Sequence, residues 1–456
     1  MESCFTLIPA FVRVTSFLPG YTSPQEIIPL LIIISLFIGL ITLVKTNFGL
    51  SLLIFSMLLS PELETFKVPS QSVVFRFDDF LIGAVFFTWL AKMAIFKETA
   101  LFRHTPINLP SFLYIVACSF STLLGAEFGI VTGRAPFFFI LKYFEYFLLF
   151  FMFSNNVETQ KQVQNFFICF FITAIIVCAY GNGLYITNYG GQYATQERIT
   201  APFEGDNPQH ASLSGYLLLL ISLLLGLLSY SEWPRHRWFL WCFLCACLAT
   251  LVLSRSRGAL IGFIPLYLTA IFLATKRRRI HLVLFIGMIF LVGYFTVPGR
   301  VLEFIKEGFV GHVYKVVGVN VSVGETGAVR FFNWRIVFEK WVQHPIFGCG
   351  VTGVGIVDNQ YLRVLGEAGI VGVIIFIWML VTIFRVGFSA LKRESCFSKA
   401  LGMALVCTNV GLMAQGLTAN SYIIVRIMEP FWFLLAMTVG VTQFPEAELS
   451  AAKKAA

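Results

Sequence analysis

Apolar residues fall into thirteen blocks separated by polar connections: residues 26–44, 47–61, 79–96, 108–126, 135–153, 163–186, 211–231, 238–254, 257–275, 280–297, 369–388, 399–418 and 421–441. Most run for roughly 17–25 residues, the length at which a helix crosses a hydrocarbon layer. The pattern predicts an all-α, polytopic transmembrane helical bundle of about 12–13 spans. The block at 47–61 is short and reads as a span or a re-entrant segment. Residues 1–21 are apolar but broken by Pro9, Arg13 and Pro19, which fits a short interfacial segment or a poorly formed extra span.

Two segments interrupt this rhythm. Residues 187–211 are polar and rich in Gly, Tyr and Asn, and 298–368 is the long hydrophilic stretch. The spacing divides the chain into an N-terminal bundle (1–297), a loop (298–368) and C-terminal helices with a short tail (369–456). Within the loop Phe331, Trp334, Phe338 and Trp341 recur at close to i, i+3, i+7 and i+10. That spacing predicts an amphipathic helix lying on membrane lipid, with Arg330 and Arg335 flanking its apolar stripe.

Composition strengthens the membrane reading. The chain is 57% hydrophobic and 12% charged, against about 25% charged in soluble domains. The net charge of +9 would point to nucleic acid in a soluble protein. Here the basic residues gather in short connections, so no nucleic-acid partner is expected. Lys276-Arg277-Arg278-Arg279 is the strongest cluster and predicts a cytoplasmic connection. Alternation places Lys45, Lys97 to His104, Lys161, Arg235-His236-Arg237, Lys392-Arg393 and Lys453-Lys454 on the same side. The segments 187–211 and 298–368 then fall outside. Of the ten cysteines, Cys169, Cys178, Cys242, Cys245, Cys247 and Cys407 lie in apolar blocks. No Cys/His pattern has zinc spacing, so no metal or cofactor is expected.

Candidate chemistry collects on the outer side. Arg255 and Arg257 stand in Ser254-Arg255-Ser256-Arg257-Gly258-Ala259-Leu260, at the junction of two spans. A guanidinium binds phosphate oxygens bidentately and stays charged, so these residues suit a lipid diphosphate. The plainer reading is snorkelling into the headgroup region. Arg198, before Ile199-Thr200-Ala201-Pro202, is a second anion-binding candidate or part of a solvated loop. Asp358-Asn359-Gln360-Tyr361, with Glu367 nine positions after Asp358, supplies a carboxylate able to take a proton from a hydroxyl. The alternative there is a helix cap by Asp358 or Asn359. His344, before Pro345, reads as structural. Lys142 with Glu145, and Arg426 with Glu429, are charges three apart inside spans and are expected to pair.

Taken in order, these fragments resemble the bacterial O-antigen ligase and O-antigen polymerase family. The similarity rests on Ser256-Arg257-Gly258-Ala259-Leu260, on Arg198 to Pro208, and on Arg330 through His344-Pro345-Ile346-Phe347-Gly348-Cys349-Gly350. It ends on Asp358-Asn359-Gln360-Tyr361-Leu362 and Glu367-Ala368-Gly369-Ile370-Val371-Gly372. It covers roughly 190–375; the remainder agrees only in topology. The resemblance implies a metal-independent glycosyltransferase of the bacterial inner membrane, with its active face on the periplasmic side. Its substrates would be an undecaprenyl-diphosphate-linked oligosaccharide and a glycan or lipid A core acceptor, and a chain-length regulator would be a further partner. Arg198 and Arg257 would neutralise the diphosphate leaving group, Arg330 would add a contact, and Asp358 would be the base. Arg255, Arg335, Asn359, His344 and Glu367 are the remaining candidate substrate-binding residues.

The family's ligases carry a His where this chain has Asp358. An unperturbed Asp titrates near about 3.9 and is a poor base at neutral pH, though partial desolvation raises it. Asp at this position favours a polymerase-like reaction over a ligase to lipid A core or protein. His210, His312 and His344 are alternative bases. A flippase of the same lipid-linked glycan is the competing class, expected to string charges through several spans.

Overall fold

The computed structural model describes residues 24–68, 71–96, 103–188, 199–202, 210–230, 237–296, 312–316, 319–323, 325–355 and 357–444. Fourteen helices lie among them. The first ten are α1 (Pro24–Val44), α2 (Thr46–Leu59), α3 (Phe77–Phe96), α4 (Asn108–Glu127), α5 (Ala135–Asn156), α6 (Gln160–Asn188), α7 (His210–Tyr230), α8 (Arg237–Leu253), α9 (Arg257–Leu273) and α10 (Lys276–Thr296). The rest are α11 (Glu325–Gln343), α12 (Gln360–Leu391), α13 (Cys396–Gln415) and α14 (Val425–Gln443). Each apolar block overlaps one helix, and α11 is the amphipathic helix of the loop. Residues 1–21 and Arg198 lie outside the described residues.

Seven helices, α4 to α7 and α12 to α14, are long and apolar enough to cross a membrane. The shorter apolar ones are α1, α2, α8 and α9, so the block at 47–61 is indeed a short helix of 14 residues. The all-α expectation holds, with two small additions that the apolar pattern does not mark. These are antiparallel hairpins, β1 (Glu62–Val68) with β2 (Gln71–Arg76) and β3 (His312–Val316) with β4 (Val319–Val323).

The bundle is arranged around α7. This helix is Leu-rich on every face, with Ser and Gly between, which is the composition of a helix surrounded by protein. It packs against α8, α9, α13 and α14, and its apolar window is 89% buried, against 33% for peripheral α4. Outer helices instead expose large apolar side chains, among them Phe37, Phe87, Phe272 and Leu284. Such a surface belongs in lipid, because water would penalise it.

The helix ends form two polar layers. In the lower one, Arg103 donates to the carbonyls of Ser154 and Val157, and Tyr230 Oη donates to Leu273 O. The cluster Lys276–Arg279 lies at this end. In the upper layer, α12 begins nine residues before the apolar block and is interrupted at Gly369, whose φ of 65° and ψ of −163° suit only glycine. The break exposes main-chain groups that an intact helix would pair, and the turn after α11 takes them up. Cys349 N–H donates to Gly366 O and Gly350 N–H to Glu367 O, while Ile370 N–H donates to Pro345 O and Val371 N–H to Ile346 O. A helix can be interrupted at membrane depth only where protein supplies such partners.

Candidate functional site

The upper layer gathers the candidate residues through one short connection, the turn between α13 and α14. Gln360 N–H, opening α12, donates to Gly416 O, and Asn359 Nδ2 donates to Leu417 O at 3.2 Å. Asn420 Nδ2 in turn donates to Val357 O, and Tyr422 N–H donates to Gln360 Oε1. On the other side the turn touches the start of α9. A Cβ at Gly258 would come within 2.3 Å of Thr418 Oγ1, so the glycine after Arg257 permits this approach. The Arg257 helix and the Asp358 loop are therefore anchored to one connection.

Arg257 is the first residue of α9, reached by a tight turn from α8 in which Ser254 Oγ donates to Leu251 O and Arg255 adopts φ +49°. The N-cap residue Ser256 makes no side-chain cap hydrogen bond. Two half-buried arginines, Arg255 and Arg257, stand at this helix start. Helix amides, dipole and guanidinium all favour an anion at this point.

Arg330 on α11 faces the same loop. Its Nε lies 4.0 Å from Asp358 Oδ2, and the two side chains are 31% and 54% exposed. A pair this open is held weakly and leaves the carboxylate accessible. The neighbouring Asn359 is differently placed. It is buried and caps α12, its Oδ1 accepting from the N–H groups of Tyr361 and Leu362. Of the two capping candidates in the sequence, Asn359 caps and Asp358 points outward.

Glu367 is buried, and its Oε1 accepts from Arg363 Nε at 3.1 Å and from Thr352 N–H at 2.8 Å. Thr352 sits at φ +67°, so Glu367 steadies a strained turn. His344 stacks on Phe128 at 5.6 Å between ring centres. Arg335 is exposed and bonded to Glu339 within its own helix. Burial pushes the Cys349 thiol above its usual range, against a smaller opposing effect of Lys340, which leaves it a poor nucleophile. The structure thus brings Arg257, Arg330 and Asp358 to one end. It gives Asn359, Glu367 and His344 packing partners and leaves Arg335 exposed and paired within α11.

With this geometry in hand, the comparison with protein families is decisive for one part of the chain. Residues 242–377 match the family model described as O-antigen ligase. The match runs from α8 into α12 and takes in Arg255, Arg257, Arg330, His344, Asp358, Asn359 and Glu367. It covers under a third of the 456 residues, and Arg198 and Arg426 lie outside it. Comparison with curated proteins gave no match. The resemblance drawn from the motifs is borne out over this segment. The O-antigen ligase match and the seven apolar helices together describe a multi-pass membrane protein with a function of the O-antigen ligase and polymerase type.

Of the charges buried beside this end, the sequence reading found Lys142, Glu145, Arg426 and Glu429 but missed Arg76, Asp78 and Asp79. Arg76, at the end of β2, lies 2.8 Å from Asp78 and 3.7 Å from Glu429. Lys142 pairs with Asp79 and, at 2.9 Å, with Glu145. The expected Lys142–Glu145 pair is present, whereas Arg426 bonds to Glu62 at 3.2 Å and Glu429 turns to Arg76. The detectable signal was Arg76, Asp78 and Asp79 bordering an apolar block. Among the described residues no group of three or more His, Cys, Asp or Glu side chains could hold a metal ion.

Proposed function

We propose that this protein transfers an undecaprenyl-diphosphate-linked oligosaccharide to a glycan acceptor at the periplasmic face of the bacterial inner membrane. The carrying observation is that Arg257, at an uncapped helix start, and the Arg330–Asp358 pair are tied to one turn inside the O-antigen ligase segment. In this reading the upper layer is periplasmic and the Lys276–Arg279 end is cytoplasmic, as the loop charges favour.

The acceptor hydroxyl attacks the anomeric carbon of the lipid-linked sugar, and its proton passes to the Asp358 carboxylate. The glycosyl–oxygen bond to the diphosphate breaks as the new glycosidic bond forms. Negative charge then grows on the leaving diphosphate, where Arg257, Arg330 and Arg198 stabilise it. Fixed cations aimed at developing charge need no reorganisation during the step. The reaction uses no metal and no nucleotide sugar. An Asp at 358 supports the polymerase-like reaction, in which the acceptor is another repeat-unit chain, over transfer to lipid A core or protein.

The test is purified protein in liposomes with an undecaprenyl-diphosphate oligosaccharide. Lengthened glycan and freed lipid diphosphate are expected. Arg257→Ala and Arg198→Ala should each abolish turnover while the protein still accumulates in the membrane; normal turnover in both ends the diphosphate-clamp reading. A flippase is the second reading, favoured by the buried charges on α3, α5 and α14. Movement of the lipid-linked sugar between leaflets with no new glycosidic bond would establish it instead.

A further inference from the structure

The Arg363–Glu367 pair on α12 is almost wholly enclosed, with the Arg363 guanidinium over the Phe139 ring of α5, 5.2 Å from its centre. Charges four apart on a helix pair without being buried. Enclosing both carries a desolvation cost that two apolar side chains of similar size would avoid. Stability alone therefore gives no reason for these charges, and their contacts do. Glu367 Oε1 accepts from Arg363 Nε and also from Thr352 N–H at 2.8 Å. The two amides before Thr352, those of Gly350 and Val351, donate to Ser121 and Thr122 on α4. The turn 349–355 is thus fixed to α4 by two amides and to α12 by the next.

On its other side this turn seats α11. Val337 of α11 forms one small apolar cluster with Cys349, Val354 and Val357, and Trp334 packs against it. Lys340 Nζ donates to Gly353 O at 2.9 Å. A Cβ at Gly366 would lie 2.6 Å from Val354 and 2.8 Å from Val337, so α12 approaches both side chains where only a glycine fits. Arg330, Trp334 and Val337 are spaced i, i+4 and i+7, which is one face of a helix. The face of α11 that rests on the turn is therefore the face carrying Arg330, whose Nε stands 4.0 Å from Asp358 Oδ2.

We propose that Arg363 is a positioning residue for the transfer reaction: through Glu367 it locks the turn 349–355 under α11 and so sets where Arg330 stands relative to Asp358. The inference rests on the diphosphate-clamp reading above. Asp358 itself is held separately, by the neighbouring Asn359 cap and by Asn420 on Val357 O, so loss of the lock moves the cation and leaves the carboxylate. Displacement of a reacting or binding group by about 1 Å can cost roughly a hundredfold in rate.

The experiment uses the full chain in liposomes with the undecaprenyl-diphosphate oligosaccharide. Arg363→Met with Glu367→Met removes the lock and leaves no buried charge, so the variant should accumulate. Its kcat/KM for the lipid-linked donor should fall roughly a hundredfold. Arg330→Ala alone should keep measurable turnover, since Arg257 remains. In that background the same two changes should alter donor kcat/KM by less than about twofold, because the group being placed is gone. Position is read without activity by pulsed EPR, with Cys242 and Cys245 replaced by Ala. Spin labels go on Glu339→Cys in α11 and on Leu417→Cys in the α13–α14 turn, both exposed positions. The distance distribution should shift or broaden when the pair is replaced. Unchanged donor kcat/KM, an equal loss with and without Arg330, or an unchanged label distance overturns the proposal. If the double variant does not accumulate, Arg363→Lys decides, since it keeps a cation without the planar fork. It should show the same three changes at smaller size, and absence of any one of them overturns the proposal. The two readings fail separately: normal turnover by Arg257→Ala ends the clamp, whereas an equal loss with and without Arg330 ends the positioning role alone.

Discussion

Asp358 and Asn359 are adjacent, and the structure separates their work. Asn359 is buried and spends its side chain on two amides of α12 and one carbonyl of the neighbouring turn. Asn359→Ala should therefore lower stability by about 0.5–2 kcal/mol, the usual worth of a cap, measured as a drop in the thermal midpoint in detergent. Asp358→Asn should leave that midpoint unchanged and remove turnover, and unchanged turnover would end its role as base. Gly369→Ala should be the more damaging local change. Its backbone would be strained, and the new Cβ would lie 2.3 Å from Ile346 O. Loss of most folded protein, read by monodisperse elution from a sizing column, is the expected outcome.

At the scale of elements, α12 carries a buried ion pair just before the break. Arg363 and Glu367 are almost wholly enclosed, and the pair also supports Thr352. Removing one partner leaves a charge in a low-dielectric interior and should cost about 3–5 kcal/mol. Arg363→Met with Glu367→Met together should cost less than either alone, a sign measurable in a double-mutant cycle. Additive losses would show that the two act independently. Helix positions were plain in the sequence because a span must be apolar over a fixed length, and each of the thirteen blocks meets a helix. The cap at Asn359 was one of two open choices, and only packing could settle it. The partners of Arg426 were illegible, because spacing offered Glu429 while the fold brought Glu62 from more than 360 positions away. Nothing in a local pattern encodes such a meeting.

For the whole molecule, the central placement of α7 and α14 and the lipid-facing residues of the outer helices give the bundle an apolar core inside an apolar belt. Both polar layers are then tied to aqueous sides. A cysteine at the exposed position Glu339, in a background with Cys242 and Cys245 replaced by Ala, should react with an impermeant maleimide applied to intact spheroplasts. A cysteine at exposed Glu394 should react only after the membrane is opened. The reverse result would turn the bundle over and place the arginine site in the cytoplasm. The proposed orientation rests on the loop charges of the sequence. The assembly of the site, by contrast, depends on the turn between α13 and α14, which holds no distinctive motif.

The interruption at Gly369 also bears on how the chain enters the membrane. Its exposed main-chain groups are matched by residues 345–350, which precede α12 and lie outside it. Ser121 on α4 adds a hydroxyl to the same place, donating to Glu367 O at 2.5 Å. A nascent α12 that partitions into lipid before that turn has docked carries unpaired amides and carbonyls into hydrocarbon. The last three helices are thus not an independent insertion unit. Their stable residence awaits the seating of the preceding turn on α4, so biogenesis and completion of the site become a single late event.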